Sequence, residues 1–152
     1  MSERTVQHAT FVVEHVYDAP VERVFAAWAD PRAKEQWFVG PDEWVAAPLK
    51  LDFRVGGRET ISGGPKGGPV HSYDAQYRDI VPNERIVTTY EMHMDDKLTS
   101  VSVATIEFTS KGDGTLLVMT ESGAFLDDAD NVESREEGTR GLLDALEKSL
   151  AQ

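Results

Sequence analysis

The sequence contains no cysteine among its 152 residues. This absence excludes disulfide bonds, thiol nucleophiles and zinc–thiolate sites, so a metal would need histidine, aspartate and glutamate ligands. The histidines are scattered, and the short cluster of His93 with Asp95 and Asp96 is explained more simply as an exposed turn than as a metal site. We therefore expect no metal and no cofactor.

The sequence also lacks a long apolar segment. No run approaches the roughly 20 apolar residues of a membrane-spanning helix, and the first residues lack the apolar stretch of a secretion signal. These absences predict a cytoplasmic protein that does not insert into a membrane.

Basic residues are few. The 15 lysines and arginines are outnumbered by 27 acidic residues, which gives a formal net charge of −12. Phosphate groups are bound by basic surfaces, so neither nucleic acid nor anionic lipid is an expected partner. Repulsion between like charges favours a monomer, although exposed strand edges would permit a weak homodimer.

The chain does contain an ordered series of strand and helix patterns. A β-branched segment at Thr10–Tyr17 predicts a first strand, and Pro20 then opens an amphipathic helix that Asp30 and Pro31 end. A second short helix is expected from Pro31 to about Phe38. Alternating segments separated by turn residues predict six further strands, at Trp44–Phe53, Gly57–Ser62, Val70–Ile80, Arg85–Met94, Thr99–Thr109 and Thr115–Phe125.

A long helix is predicted at the C-terminal end of the chain, from Asn131 to Ala151. Asp130, followed three residues later by Glu133, resembles a capping box at its start. Its expected inward stripe consists of Val132, Leu142, Leu146 and Leu150. Between these residues the same face offers only Gly138 and Thr139, so the helix either packs closely on its neighbour or covers a space.

Five segments carry a family resemblance: Asp18–Trp28, Asp30–Pro41, Asp52–Arg58, Val81–Val87 and Gly114–Thr120. Over most of the chain, and in this order, they resemble the bacterial relatives of the C-terminal domain of the activator of the Hsp90 ATPase. These relatives belong to the START-like and Bet v 1-like superfamily.

The resemblance implies an α+β helix-grip fold, formed by residues 1–152 as a single START-like domain. In this fold a curved antiparallel sheet of about six to seven strands wraps around a long C-terminal helix, and two short helices follow the first strand. A cavity lies between the sheet and the long helix. Relatives often have tryptophan where this chain has Thr139, which implies a wider space beneath the helix.

Strand alternation suggests which side chains face that space. On one strand Ile86, Tyr90, Met92 and Met94 share a face. On the last strand Glu121 shares parity with Leu117 and Met119, which would place a carboxylate among apolar residues. Glu121 is therefore a candidate ligand anchor or catalytic acid, with Arg58 and His71 as possible partners, and the alternative is a carboxylate in water at the strand end.

The predicted wall of the cavity combines aromatic, thioether and small residues with these polar groups, although the large ones are equally explained as core. It consists of Trp28, Trp37, Phe38, Arg58, His71, Tyr77, Tyr90, Met92, Met119, Glu121, Gly138, Thr139, Leu142 and Leu146.

Three functions are compatible with the sequence. The leading hypothesis is binding of a small apolar or aromatic ligand between the sheet and the long helix, because of the family resemblance and the small residues Gly138 and Thr139 on the inner face of that helix. The second is a cyclase- or dehydratase-like enzyme in which Glu121 moves a proton on a carbonyl substrate. The third is a module that contacts Hsp90 or another stress-related partner through its acidic outer surface.

Overall fold

The computed structural model describes residues 4–151, so both ends of the predicted domain, residues 1–3 and 152, lie outside it. The strands are β1 (Val6–Tyr17), β2 (Trp44–Leu51), β3 (Arg58–Pro65), β4 (His71–Val81), β5 (Arg85–Met94), β6 (Lys97–Lys111) and β7 (Gly114–Leu126). The helices are α1 (Val21–Ala29), α2 (Pro31–Lys34) and α3 (Val132–Leu150).

All seven strands form one antiparallel sheet in the order β1-β7-β6-β5-β4-β3-β2. Successive strands from β2 to β7 are neighbours, and β1 closes the series by pairing with β7. The sheet curves around α3, and the two short helices follow β1. The α+β helix-grip architecture expected from the sequence is thus confirmed.

The two short helices form an elbow on the inner side of the sheet. The apolar face of α1 buries Val24, Phe25 and Trp28. The side chain of Asp30 caps α2 by accepting the backbone N–H of Arg32, as is usual at a helix start. The predicted second helix is too long, because regular α-helix ends at Lys34 and residues 35–37 continue as hydrogen-bonded turns.

The hydrophobic core lies between the sheet and the helices. Its most buried members come from β1, α1, β5, β7, α3 and the turns after α2. They include Tyr17, Val24, Ile86, Leu117 and Leu146, each at most 1% exposed. The Tyr17 hydroxyl donates a hydrogen bond of 2.9 Å to the carbonyl of Leu143, which attaches α3 to β1.

The start of α3 differs from the prediction. The capping residue is Asn131, whose side chain accepts the backbone N–H of Ser134 at 2.8 Å, and not Asp130. The Asp130 carboxylate instead accepts a hydrogen bond from Arg135.

The buried stripe of α3 also differs. The fully buried residues are Thr139, Leu143 and Leu146, whereas Leu142 and Leu150 are only half-buried. The helix is therefore rotated from the predicted orientation. Across residues 4–151, no helix is long and apolar enough to cross a membrane.

Candidate functional site

A pocket of about 420 Å³ lies between the inner face of the sheet, the elbow and α3. We call it the central pocket. Most of its wall is aromatic or aliphatic. The rings of Phe38 and Tyr73 are 5.1 Å apart, and those of Tyr73 and Tyr90 are 4.9 Å apart, so aromatic side chains form a continuous surface across β4 and β5.

The structure brings most of the predicted wall residues together around this pocket. They are Trp28, Trp37, Phe38, Tyr77, Tyr90, Met92, Met119, Glu121, Gly138, Thr139 and Leu142. Three residues of the predicted set, Arg58, His71 and Leu146, do not line it.

The sequence placed Arg58 in the wall of the pocket, and this prediction is wrong because side chains alternate along β3. Glu59 points inward and is completely buried, so Arg58 points outward, where its guanidinium pairs with Asp74 and is 65% exposed. The pKa of Arg58 is raised by its hydrogen bond with Asp74. Arg58 is therefore not a partner of Glu121.

His71 and Leu146 are also misplaced. The ring of His71 stacks on that of Trp44 at 5.1 Å and lies in a second groove, beside the edge strand β2. Leu146 is fully buried in the core beyond the pocket. Met94, expected to face inward with Met92, does not line the pocket; it lies at the end of β5, where it pairs with His71 of β4.

Glu121 lies on the inner face of β7 and is 1% exposed. Its Oε2 atom accepts two hydrogen bonds, one of 2.6 Å from the hydroxyl of Tyr90 and one of 3.2 Å from Nη1 of Arg135. The same Nη1 donates to the Tyr90 oxygen at 2.8 Å. Burial, followed by the charge of Glu121, raises the pKa of Tyr90, so its hydroxyl stays protonated and acts as a donor.

Arg135 of α3 is the main site residue that the sequence reasoning missed. Its Nη2 atom donates to Oγ of Ser100 at 2.8 Å and to Oδ2 of Asp130 at 2.5 Å. Burial lowers the pKa of the guanidinium, but Tyr90, Glu121 and Asp130 more than offset this, and the net pKa is raised. Helical spacing offered a signal, because Arg135 precedes Gly138 and Thr139 by three and four residues on one face.

A second buried ion pair lies beside the elbow. The ammonium of Lys34, on α2, is 2.8 Å from Oε1 and 2.6 Å from Oε2 of Glu59, and both side chains are at most 3% exposed. The hydroxyl of Tyr77 also donates to Glu59 Oε1, at 2.9 Å. Burial lowers the pKa of Lys34 against the opposing effect of Glu59, and the ammonium lies 4.5 Å from the centroid of the Phe38 ring. The sequence reasoning identified neither member of this pair.

The two ion pairs belong to different walls of the central pocket. Glu59 projects from β3 and Glu121 from β7, which are separated by four strand spacings, or about 19 Å along the curved sheet. The apolar surface of the pocket lies between these two polar clusters.

Two residues of the pocket wall each carry a buried polar atom that has no hydrogen-bond partner within residues 4–151. The atoms are Oε1 of Glu121 and Nε1 of Trp28. Oε2 of Glu59 also lacks an aligned hydrogen bond, but its 2.6 Å contact with the Lys34 ammonium accounts for it. No group of three potential metal ligands occurs in the described part of the chain.

Comparison with known proteins agrees with this architecture. Residues 18–151 match the family described as Activator of Hsp90 ATPase homolog 1-like protein. The chain belongs to this family. Comparison with curated proteins gives no match.

Solved structures include close relatives of this AHSA1-like chain. A protein from Rhizobium leguminosarum is 43% identical, with a TM-score of 0.93 and 99% of each chain covered. A protein from Rhizobium loti is 46% identical, with a TM-score of 0.88, covering 95% of this chain and 99% of its own. The AHSA1-like protein from Aeromonas hydrophila, at 19% identity and a TM-score of 0.68, covers 94% of this chain and 92% of its own and shows the shared fold.

Proposed function

We propose that this protein binds a small, largely apolar or aromatic molecule in the central pocket. Its volume of about 420 Å³ falls within the roughly 300–1,000 Å³ typical of small-molecule sites. Such sites combine an apolar wall with a few placed polar groups, as this pocket does.

The observation that carries the proposal is the burial and incomplete hydrogen bonding of the Glu121 carboxylate. Its side chain is 1% exposed and belongs to the wall of an apolar pocket, yet Oε1 has no hydrogen-bond partner among residues 4–151. A buried polar atom left unpaired costs about 1–3 kcal/mol, so a core designed only for stability would satisfy or replace it. The groove beside β2 is larger, about 690 Å³, but it is more open to solvent and contains none of the unpartnered buried atoms.

The geometry favours binding over the cyclase- or dehydratase-like alternative. The Oε2 atom of Glu121 already accepts hydrogen bonds from both Tyr90 and Arg135, so it is not free to exchange a proton with a substrate. The helpers expected from the sequence, Arg58 and His71, do not reach the pocket. The Hsp90-related alternative rests on the family description alone.

The test is a titration of purified protein with a panel of fatty acids and aromatic compounds, followed by thermal unfolding and native mass spectrometry. A ligand that binds only the folded state stabilises it by about 2.7 kcal/mol at a hundred times its Kd, so the melting temperature rises. Ligand density in a crystal structure should then lie in the central pocket.

Two glycines of α3 provide a matched pair of variants. A Cβ added at Gly138 or Gly141 would meet no atom within 4 Å, so both sites accept leucine without a clash at Cβ. Only Gly138 lines the central pocket. Gly138→Leu should therefore weaken binding at least about tenfold by occupying the pocket, whereas Gly141→Leu should leave the affinity unchanged. Absence of any bound compound, or equal affinity of the two variants, would contradict the proposal.

A further inference from the structure

We propose that the ligand has an apolar body carrying two separate polar groups, a hydrogen-bond donor that meets Glu121 and a hydrogen-bond acceptor that meets Trp28. This inference rests on the proposed function and specifies the chemical class of the ligand. It follows from two buried polar atoms, in side chains of the pocket wall, that have no partner in the described part of the chain.

The donor requirement comes from Glu121. Within residues 4–151, Oε2 accepts hydrogen bonds from Tyr90 and Arg135, and Oε1 receives none. A carboxylate oxygen without a proton can only accept, so the complementary ligand group is a hydroxyl or an N–H. A bond to a charged acceptor is stronger than one between neutral groups.

The acceptor requirement comes from Trp28. Its indole Nε1 can only donate, and in this residue, which is 6% exposed, it is buried with no acceptor among the residues that the structure describes. The neighbouring Trp37, whose ring centroid is 4.7 Å away, shows the ordinary arrangement, because its Nε1 donates to the carbonyl of Ala27 at 3.0 Å. The elbow therefore supplies an acceptor for the indole N–H of Trp37. The indole N–H of Trp28, a residue of the pocket wall, is available to a carbonyl or ether oxygen of the ligand.

The two atoms belong to different clusters, so we expect each to be met by its own ligand group. Trp28 projects from α1, with the Lys34 ammonium 5.4 Å from its ring centroid, whereas Glu121 projects from β7 beside Arg135 of α3. The rings of Tyr73 and Tyr90 provide an aromatic surface for the body of the ligand.

Selectivity follows from the cost of burying an unpaired group. A pocket of this size with polar groups in its largely apolar wall can hold water, and an apolar ligand that displaces this water without replacing its hydrogen bonds loses affinity. A site built to bond a ligand hydroxyl therefore discriminates strongly against the analogue that lacks it.

Four matched probes test the inference on the unmodified protein. Para-hydroxybenzophenone has both groups, para-methoxybenzophenone lacks the donor, para-benzylphenol lacks the ketone acceptor, and diphenylmethane lacks both. Isothermal titration calorimetry should give affinities that fall about tenfold with loss of either group and about a hundredfold with loss of both.

Two variants assign each preference to its residue. Trp28→Phe should abolish the preference for the ketone and leave the preference for the hydroxyl. In Glu121→Gln the amide oxygen can keep the bonds from Tyr90 and Arg135, which places the NH2 group where Oε1 was. The hydroxyl should then lose its advantage over the methyl ether, while the ketone preference remains.

The outcomes separate this inference from the proposed function. If all four probes bind with equal affinity, the two-group requirement is wrong and the pocket remains an apolar binding site. If each variant changes both preferences or neither, the assignment to Glu121 and Trp28 is wrong. If no probe binds up to its solubility limit, the proposed function itself is contradicted along with this inference.

Discussion

Replacing Arg135 with methionine should destabilise the protein by about 3 kcal/mol. The Arg135 side chain is 11% exposed and its partner Glu121 only 1%, so the substitution leaves a buried carboxylate without its counter-charge. Removing one partner of a buried pair costs about 3–5 kcal/mol. We take the lower end, because methionine retains part of the packing that the arginine stem makes in the pocket wall.

Arg140 on the same helix provides the control. It pairs with Glu136 at 2.7 Å, four residues earlier, but the two side chains are 54% and 35% exposed. Exposed pairs with this spacing contribute about 0.3–0.5 kcal/mol. Arg140→Met removes the same unit charge from a chain whose net charge is −12, so the effect of overall charge is common to both variants.

Urea unfolding followed by circular dichroism measures both effects. With an unchanged m-value, a shift of the midpoint reports a change in stability. The double variant Arg135→Met with Glu121→Gln should be less destabilised than the sum of the single variants by at least about 1.5 kcal/mol, because residues in one network couple. Equal stability of the Arg135 and Arg140 variants, or strict additivity in the double variant, would refute the view that this pair is a coupled buried unit.

Two further predictions concern the tyrosines and the cap of α3. Burial raises the pKa of every tyrosine in the chain above the value near 10 of unfolded tyrosine. The folded state therefore binds the tyrosine protons more tightly than the unfolded state does. The stability that this contributes is fully present below pH 10 and is lost as the pH rises above it. Tyrosinate absorbance should therefore appear only together with loss of the circular dichroism signal, and tyrosinate in still-folded protein near pH 10 would contradict this. Asn131→Ala should cost about 1 kcal/mol in urea unfolding by removing the cap on Ser134, whereas Asn131→Asp should be nearly neutral, and equal losses in both would exclude the cap as the cause.

The site shows where reasoning from sequence succeeds and where it stops. Alternation on β7 placed Glu121 on the inner face, since parity with buried neighbours is a local property. The same rule applied to β3 would have selected Glu59 instead of Arg58, because these adjacent residues must face opposite sides of the sheet. The charge of Arg58 does not place it in the pocket, because its parity on β3 is opposite to that of the buried Glu59.

The alternation of side chains along a strand does not predict the partners of the buried carboxylates. Arg135 meets Glu121 and Tyr90, which are 14 and 45 residues away in sequence, and Lys34 meets Glu59 at a separation of 25. Nothing in the local sequence pattern of α2 or α3 specifies which distant residue each of these side chains contacts. The helical spacing of Arg135 from Gly138 and Thr139 indicates that Arg135 lines the pocket, but it does not indicate that Arg135 pairs with Glu121.

By itself the sequence determined the order of the elements, most strand positions, the elbow and the presence of a carboxylate on the inner face of β7. These features depend on proline and glycine at the ends of elements and on helical or alternating periodicity, which act over a few residues. Only the tertiary structure decided the rotation of α3, the two ion pairs and which buried atoms remain unpartnered. Those features depend on the register of seven strands and the placement of helices against them, where a shift of one residue moves a charge from the pocket to the solvent.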